Sequence, residues 1–487
     1  MRLGSAFAVK GTAWRGRDSV SEQRNFGGML VFGLRGVGFV LYDVDAVGGM
    51  ERQAARLAER LAARGLAVTV FSASFPTRLP RQPLREFRRG VEILRLPLLR
   101  IPPYDRFIPL DWCDRAFDAF VAAGVLRRPA IEVLYGIQSK SAPHVVHAGR
   151  LAGLATMVKL ACSGPHGDLA QLPHDRRAAV MGSALHAVDS VVCLTEDVRR
   201  EALAFGLAPE RLDLVPNGVE TAPSGLDGPL APAWLAEAAR QDLVLFVGRL
   251  AEQKGLDVLL AALAHLVPSA PSVRLACAGD GPLRAELEAR ARALGLAERV
   301  RFLGVRDDVL ALLRAARAFV LPSRSEGLSN ALLEAMVAGT PIVATDIPGN
   351  RAVVTHEREA LLVAPDDPVA LAAALRQLIG DPPLATRLAR AARARVDADF
   401  DLERVADRYV AMFGALARGP REARPWRARA QLASCAAALG WEAIADAGAR
   451  VGAAARGAVT GGVIRAKGLA GVGRPLLRRP RPSDEGA

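Results

Sequence analysis

Cysteine and aromatic residues are scarce in this sequence. The chain has 487 residues, of which 51% are hydrophobic and only 5% aromatic. Its five cysteines are widely scattered, so neither a disulfide framework nor the close spacing of a cysteine metal site is indicated. This usage is typical of a reducing compartment and predicts a cytoplasmic location. The cysteines are Cys113, Cys162, Cys193, Cys277 and Cys435.

The sequence also lacks a long uninterrupted apolar run. The most apolar stretch near its start, residues 27–44, is split by Arg35. A membrane-spanning helix needs about 20 predominantly apolar residues. We therefore predict neither a transmembrane helix nor a secretory signal segment.

The excess positive charge lies mainly at the two ends of the chain. Of the formal net charge of +13, residues 1–40 carry +4 and residues 421–487 carry +7, which leaves +2 for the residues between them. A nucleic-acid enzyme is expected to place a basic groove and aromatic stacking partners in its folded body, so nucleic acid is not a predicted partner. The basic ends suit an anionic membrane surface, such as the inner face of the cell membrane, and disorder is the alternative.

Short apolar runs alternate with segments of helical period from about residue 37 to residue 380. This is the sequence form of parallel βαβ units. We predict an α/β fold of two Rossmann-like doubly wound domains that face each other across a cleft. The strand candidates in the first half are residues 37–43, 67–73, 91–97, 131–137, 157–163 and 190–195. Those in the second half are residues 243–248, 273–279, 300–304, 318–322, 341–346 and 360–365.

A segment rich in Pro and Gly, residues 221–234, predicts the linker between the domains. Ligands of open α/β sheets lie outside the carboxyl ends of the strands, so two facing domains enclose one site. The predicted organisation is an N-terminal tail over 1–36, a first, acceptor-side domain over 37–220, a linker over 221–240, a second domain over 241–399, a helix over 400–418 that packs back on the first domain, and a basic tail over 419–487.

The stretch EGLSNALLEAM, residues 326–336, contains two carboxylates eight positions apart. The pattern predicts a helix from about Asn330 to Ala338, with Glu326 in the loop before it and Glu334 about one turn inside. Both can reach a ligand over the helix N-terminus, where free N–H groups suit phosphate oxygens. Carboxylates accept hydrogen bonds from sugar hydroxyls, so a nucleotide sugar satisfies these features together. The alternative is that both acids complement the helix dipole.

Two cations support a nucleotide sugar as the ligand rather than the helix-dipole alternative. In FVGRLAEQKG, residues 246–255, Arg249 and Lys254 follow a predicted strand and lie near the N-terminus of the next helix. Cations at that end oppose the helix dipole, so an anionic partner is expected. A diphosphate leaving group would supply one.

Motifs along most of the chain resemble the family-four retaining glycosyltransferases, the group 1 glycosyl transferases with the two-domain GT-B fold. In the second half these are GRL…KG, GDGPLRAELE, VRFLG, LPSRSEGLSNALLEAMVAGTPIVATDIPG and ALLVAPDDPVALAAAL. In the first half, YDVDAVGGMERQAARLAERLAARGLAVTVFS, CSGPHGDL and VPNGV resemble the opening strand and glycine loop, a histidine segment and a hinge-side strand end. The resemblance covers roughly residues 37–418.

The resemblance implies roles for the residues of the second domain. Glu334 would hold the ribose hydroxyls of the donor nucleotide, and Glu326 would contact the transferred sugar. Arg249 and Lys254 would neutralise the diphosphate as the glycosidic bond breaks. Backbone amides in the loop ahead of the helix, at Gly327 and Leu328, would add hydrogen bonds.

It also implies roles in the first domain. Gly48 and Gly49 would let the backbone approach the donor phosphate or the acceptor, since glycine lacks a Cβ. An ordinary strand-to-helix turn is the alternative for this pair. His166, in a glycine-flanked loop, would contact the donor sugar near the reaction centre, and a structural hydrogen bond is its alternative.

The function implied by the resemblance is that of a retaining, hexosyltransferase-type enzyme. It would transfer a sugar from a nucleotide-diphosphate sugar to a hydroxyl of a sugar or lipid-linked acceptor, in polysaccharide, exopolysaccharide or glycolipid synthesis. No DxD-type motif lies in the loops assigned to the site, so we predict a metal-independent reaction with no cofactor beyond the donor. A nucleotide-sugar epimerase of the same fold and a non-catalytic sugar-nucleotide sensor are the alternatives.

Overall fold

The structure is a computed structural model that describes residues 33–44, 48–74, 83–97, 110–165, 167–222 and 242–419. In the first domain these residues form a mostly parallel sheet with helices on both of its faces. Its strands are β1 (Gly36–Val40), β2 (Ala67–Ser74), β3 (Arg85–Arg88), β4 (Val91–Pro97), β5 (Val133–Ile137), β6 (Ala155–Leu160), β7 (Ser190–Cys193) and β8 (Leu212–Leu214). Its helices are α1 (Gly49–Ala63), α2 (Leu110–Leu126), α3 (Ala142–Ala152), α4 (Ala178–Ala187) and α5 (Glu196–Ala204).

The described strands of this sheet follow the order β3-β4-β2-β1-β5-β6-β7-β8. β1 is paired in parallel with β2 and β5, and the order reverses beside it, which is where doubly wound sheets form a ligand crevice. α1 is amphipathic: Ala54, Leu57, Ala58 and Leu61 recur at the spacing of one helix face and are buried. The opposite face of α1 carries its arginines.

The second domain has a six-stranded parallel sheet with the order β11-β10-β9-β12-β13-β14 among the described residues. Its strands are β9 (Leu243–Val247), β10 (Arg274–Ala278), β11 (Val300–Gly304), β12 (Ala318–Leu321), β13 (Ile342–Thr345) and β14 (Leu361–Val363). Its helices are α6 (Leu256–Leu266), α7 (Arg284–Ala293), α8 (Val309–Ala315), α9 (Asn330–Ala338), α10 (Pro348–Arg351), α11 (Pro368–Gly380) and α12 (Pro382–Asp399).

The last described helix, α13 (Leu402–Arg418), packs on the first domain although it follows the second in sequence. Tyr409 and Phe413 are buried against Tyr135 of β5, and the two tyrosine hydroxyls are 2.9 Å apart. Each large apolar side chain buried in this way contributes about 1.5–3 kcal/mol. The chain therefore crosses between the domains a second time, between α12 and α13.

The predicted fold class is confirmed, and each strand candidate overlaps an observed strand. β3 was not predicted: its sequence, REFR, is polar, its residues are largely exposed, and it pairs antiparallel with β4 at the sheet edge. The predicted tails lie outside the described residues, apart from a few residues next to the domains, and so does most of the predicted linker. Among the described residues, no helix is long and apolar enough to cross a membrane.

Candidate active site

The loop and helix that follow β12 carry both predicted carboxylates. α9 begins at Asn330, where the Ser329 hydroxyl accepts a hydrogen bond from the Leu332 N–H at 3.4 Å, as an N-cap does. The helix is followed by Gly339, whose φ of 70° is the left-handed conformation that favours glycine. The predicted bounds of this helix are confirmed.

Glu326, in the loop, forms an ion pair inside the second domain. Lys254 Nζ lies 2.5 Å from Glu326 Oε1, and Ser323 Oγ donates to the same oxygen at 2.7 Å. The Lys254 and Glu326 side chains are only 15% and 8% exposed, so solvent screens their attraction weakly. A ligand was predicted to supply the anion opposite Lys254. In this structure Glu326 itself supplies a negative charge there.

A glycine brings Lys254 to this position. Lys254 ends the 3-10 turn Glu252–Lys254, and Gly255 follows with a φ of 64°. A Cβ at Gly255 would lie 2.1 Å from the carbonyl oxygen of Pro322, which no side chain tolerates. The Lys-Gly pair in the motif thus places the ammonium group beside the end of β12, just ahead of α6.

Arg249 is not part of this ion pair. It follows β9 and is exposed. Within the described ranges, no carboxylate pairs with its guanidinium. Its charge is therefore open to an anion that approaches from outside the protein.

Gly327 packs the Glu326 loop directly against the first domain. A Cβ there would lie 2.1 Å from the carbonyl oxygen of Ala161 and 2.8 Å from Cys162 Sγ, just beyond β6. On the other side of the loop, a Cβ on Gly349 would lie 2.4 Å from the Glu326 carbonyl oxygen. The missing Cβ atoms therefore allow the loop to fit between the end of β6 and α10.

Cys162 is a site neighbour that the sequence analysis did not single out. Burial raises the pKa of its thiol to about 12, and the nearby carboxylates of Asp168 and Glu326 add to this effect. The backbone N–H of Gly327 opposes this rise in the thiol pKa. Leu328, which carries the second amide assigned to the donor, is buried.

Glu334 is held from the opposite domain. Its Oε1 accepts a hydrogen bond from Arg56 Nη2 on α1 at 3.3 Å. The Glu334 side chain is 18% exposed and the Arg56 side chain 32%. Glu334 lies in the second turn of α9, whose first turn holds no acid. Because the dipole effect fades within the first turn, this position weighs against the dipole explanation for Glu334.

Gly48 and Gly49 lie at the start of α1, which faces α9. Gly48 has an extended φ of −125°, so its backbone conformation does not require glycine. A Cβ on Gly49 would lie 2.9 Å from Asn330 Nδ2, and this nitrogen donates to the Gly49 carbonyl oxygen at 2.8 Å. The glycine pair thus contacts the first residue of the helix that carries Glu334.

His166 lies outside the described residues, but the loop around it is held by Asp168. Asp168 Oδ2 accepts hydrogen bonds from the N–H groups of Ala161 at 2.6 Å and Cys162 at 3.0 Å. Burial raises the pKa of Asp168, and these backbone bonds oppose that rise. No role was predicted for Asp168, and these hydrogen bonds tie it to the segment that follows β6.

A partly buried polar cluster in the first domain was not predicted from the sequence. The Tyr42 hydroxyl lies 2.6 Å from His144 Nε2 and 3.0 Å from both Asp114 and Arg177. His144 Nδ1 is 2.6 Å from Asp118. Burial raises the pKa of Tyr42 far above its ordinary value. The four segments that carry these residues are separated in sequence, so no local pattern could reveal the cluster.

In the part of the chain that the structure describes, there is no group of three or more Asp, Glu, His or Cys side chains that could hold a metal ion. The two sheets and the motif-bearing loops after β6, β9 and β12 define a two-domain α/β protein of the GT-B type.

Residues 241–381 match the family Glycosyl transferases group 1, and residues 47–223 match Glycosyltransferase Family 4. A glycogen synthase of Mycobacterium tuberculosis is 33% identical over 62% of this chain and 69% of its own length. The D-inositol 3-phosphate glycosyltransferase of Geodermatophilus obscurus is 32% identical over 76% of this chain and 85% of its own length. The chain belongs to the group 1, family 4 glycosyltransferases, as its motifs predicted.

Solved structures agree on the fold. Sucrose-phosphate synthase from Thermosynechococcus elongatus has a TM-score of 0.64 at 25% identity and covers 78% of this chain and 99% of its own. Anabaena Alr3699/HepE, in complex with UDP and glucose, has a TM-score of 0.63 at 20% identity over 78% of this chain and 100% of its own. This second likeness shows the fold alone.

Proposed function

We propose that this glycosyltransferase moves a sugar from a nucleotide-diphosphate sugar to a hydroxyl of a sugar or lipid-linked acceptor, with retention and without a metal ion. The observation that carries the proposal is the shielded Lys254–Glu326 pair in the loops after β9 and β12. These loops lie at the carboxyl ends of the strands, where α/β sheets bind ligands. Arg249, after β9, adds a second cation.

The reaction breaks the bond between the anomeric carbon and the diphosphate and forms a bond from that carbon to the acceptor oxygen. The acceptor proton passes to the departing diphosphate on the same face of the sugar. Lys254 and Arg249 stabilise the negative charge that grows on the diphosphate, in place of a divalent metal. Lys254 has three N–H donors, so it can keep its bond to Glu326 while it donates to a phosphate oxygen.

The two glutamates contact different halves of the donor in this proposal. Glu326 accepts hydrogen bonds from the transferred sugar, and Glu334 accepts them from the ribose hydroxyls. The N–H groups of Gly327 and Leu328 and the glycine pair on α1 approach the diphosphate. His166 contacts the donor sugar from the first domain.

A relative supports the setting of the reaction. LpsD of Rhizobium meliloti, 34% identical over 46% of this chain, is named a lipopolysaccharide core biosynthesis glycosyltransferase. We place this chain in the synthesis of cell-surface polysaccharide or glycolipid, at the inner face of the membrane. Its basic residues 421–487 would bind anionic lipid there.

A panel of nucleotide sugars tests the proposal. UDP-, GDP- and ADP-sugars are first screened for thermal stabilisation, since a ligand at about 100 times its Kd stabilises the fold by about 2.7 kcal/mol. Products are then analysed with and without acceptor sugars, and proton NMR reports the anomeric configuration. The proposal expects an acceptor-dependent glycoside with the anomeric configuration of the donor. An epimerised donor without acceptor, or binding without turnover, would favour the alternatives instead.

A further inference from the structure

The side chain of Asn330, the first residue of α9, joins the second domain to three points of the first. Its Oδ1 accepts hydrogen bonds from Gln53 Nε2 at 2.9 Å and from Asn217 Nδ2 at 3.1 Å. Its Nδ2 donates to the carbonyl oxygen of Gly49 at 2.8 Å. Gly49 is the first residue of α1, Gln53 lies in its second turn, and Asn217 lies in the VPNGV motif after β8. The Asn330 amide thus links α9 to α1 and to the VPNGV segment.

A backbone carbonyl at one end fixes the direction of this hydrogen-bond chain. The Gly49 carbonyl oxygen only accepts, so Asn330 presents its side-chain oxygen to Asn217, and Asn217 presents its own to Lys159. Lys159 on β6 is 7% exposed, and its Nζ donates to Asn217 Oδ1 at 2.7 Å. The hydrogen-bond chain therefore runs from Lys159 through Asn217 and Asn330 to Gly49, and each amide in it has one orientation.

The burial of this hydrogen-bond chain makes the loss of any of its hydrogen bonds costly. Gln53 and Asn217 are 5% and 4% exposed, so water is largely excluded from their amides. A buried polar group left without its partner loses more than the net value of the hydrogen bond. One turn further along both helices, Arg56 meets Glu334. α1 and α9 are thus held side by side along the face that carries the ribose-binding candidate.

We propose that Asn330 is a positioning residue for sugar transfer: it holds the Gly48–Gly49 turn and the start of α9 at the spacing at which one donor contacts both domains. The proposal rests on the proposed function, because it concerns the same site. Asn330 itself need not touch the donor. Its effect is to keep groups from two domains in register around one ligand.

The first test compares transfer with nucleotide affinity. Asn330→Ala is expected to lower kcat/KM for transfer about a hundredfold, the cost of misplacing reacting groups by about 1 Å. Its Kd for UDP, GDP or ADP, whichever binds the wild type, should rise by no more than about fivefold, the value of about one hydrogen bond, because Glu334 and Lys254 remain in place. Gln377→Ala, which removes an exposed amide on α11, is the matched control and should change neither. Wild-type kcat/KM in Asn330→Ala, or an equal loss of nucleotide affinity, would overturn the proposal.

Two more variants test the direction of the chain. Asn330→Asp keeps the acceptor oxygens but sets a carboxylate oxygen against the Gly49 carbonyl, so transfer should fall as in Asn330→Ala. Lys159→Met keeps the length of the side chain and removes the donor to Asn217, and we expect transfer to fall about fivefold, the value of about one hydrogen bond. Full activity in both would contradict the directional chain.

Hydrogen exchange of the ligand-free full chain separates this inference from the proposed function. Asn330→Ala should speed exchange of the amides in residues 48–57 and 330–335 and leave β1 and β9 protected as in the wild type. Faster exchange throughout either domain would indicate a merely structural role and would overturn the proposal, as would unchanged exchange. This result does not depend on any donor, so it stands even if no nucleotide sugar is turned over.

Discussion

Glu326 and Glu334 are eight residues apart in one loop and helix, yet they are held from different directions. Glu326 is paired within its own domain, with Lys254, and is 8% exposed. Glu334 is paired across the cleft, with Arg56 of the first domain, and is 18% exposed. The two regions of the site therefore differ in what they need from the tertiary structure.

The two ion pairs differ in whether they depend on contact between the domains. The Lys254–Glu326 pair joins two loops that follow strands of one sheet, so both of its members come from the second domain. The Arg56–Glu334 pair exists only while α1 lies beside α9. We infer that the sugar end of the site is built by one domain, whereas the nucleotide end responds to the placement of both.

The largest effect is expected from removal of Lys254. Lys254→Ala should lower turnover roughly a hundredfold or more, the loss seen when one donor to transition-state charge is removed. It also leaves the shielded carboxylate of Glu326 without its cation. Steady-state kinetics of the folded variant measures the effect, with Arg290→Ala on the exposed face of α7 as the matched loss of charge. Turnover near that of the control would remove Lys254 from the mechanism.

Glu326→Gln is expected to reduce transfer tenfold or more while the affinity for free nucleotide stays near the wild type. The amide keeps the size of the side chain but loses a charge-assisted hydrogen bond to the sugar, which is worth about 1.5–3 kcal/mol. Calorimetry with the nucleotide and kinetics with the full donor measure the two quantities. Equal losses in both would refute the assignment of Glu326 to the sugar.

Glu334→Gln should weaken binding of free nucleotide and intact donor alike, by about tenfold. The same calorimetry measures it beside Glu326→Gln. The dipole alternative predicts a different outcome: each variant would lose about 0.3–1 kcal/mol of stability, and the ratio of nucleotide to sugar-nucleotide affinity would not change. That outcome would contradict the assignment of Glu334 to the nucleotide and of Glu326 to the sugar.

Lys159 offers a pH test of its own burial at the first-domain end of the hydrogen-bond chain. Burial lowers the pKa of Lys159 from 10.5 to about 7. Between these values the unfolded chain holds a proton that the fold does not, so this group makes the free energy of unfolding rise with pH. The difference in stability between wild type and Lys159→Met should therefore shift in favour of the wild type from pH 7 to pH 9. A pH-independent difference, measured by urea unfolding, would mean that Lys159 is not buried as described.

The smallest effect is expected at Arg56. A partly exposed ion pair contributes at most about 1 kcal/mol, so Arg56→Ala should change nucleotide affinity by no more than about fivefold. We expect tighter binding, because one donor that competes with the ribose for Glu334 is removed. Calorimetry at low and high salt measures it. A loss as large as that of Glu334→Gln would show that Arg56 itself binds the nucleotide.

Local sequence determined much of this protein. The parallel strands could be predicted because short apolar runs alternate with helical periods, and the bounds of α9 because Ser329 and Gly339 suit the two ends of a helix. The positions of Glu326, Glu334 and Lys254 relative to these strands followed from the same pattern. The polar edge strand β3 lacked the apolar signal and was missed.

Only the tertiary structure decided which of these residues meet. Lys254 reaches Glu326 across 72 positions and Arg56 reaches Glu334 across 278, and each contact depends on how loops or domains pack. Asn330 gave no signal in the sequence, because an amide beginning a helix is ordinary until its partners are known. Its partners lie in segments that are distant along the chain and adjacent only in the fold, and a periodic pattern carries no information about such contacts.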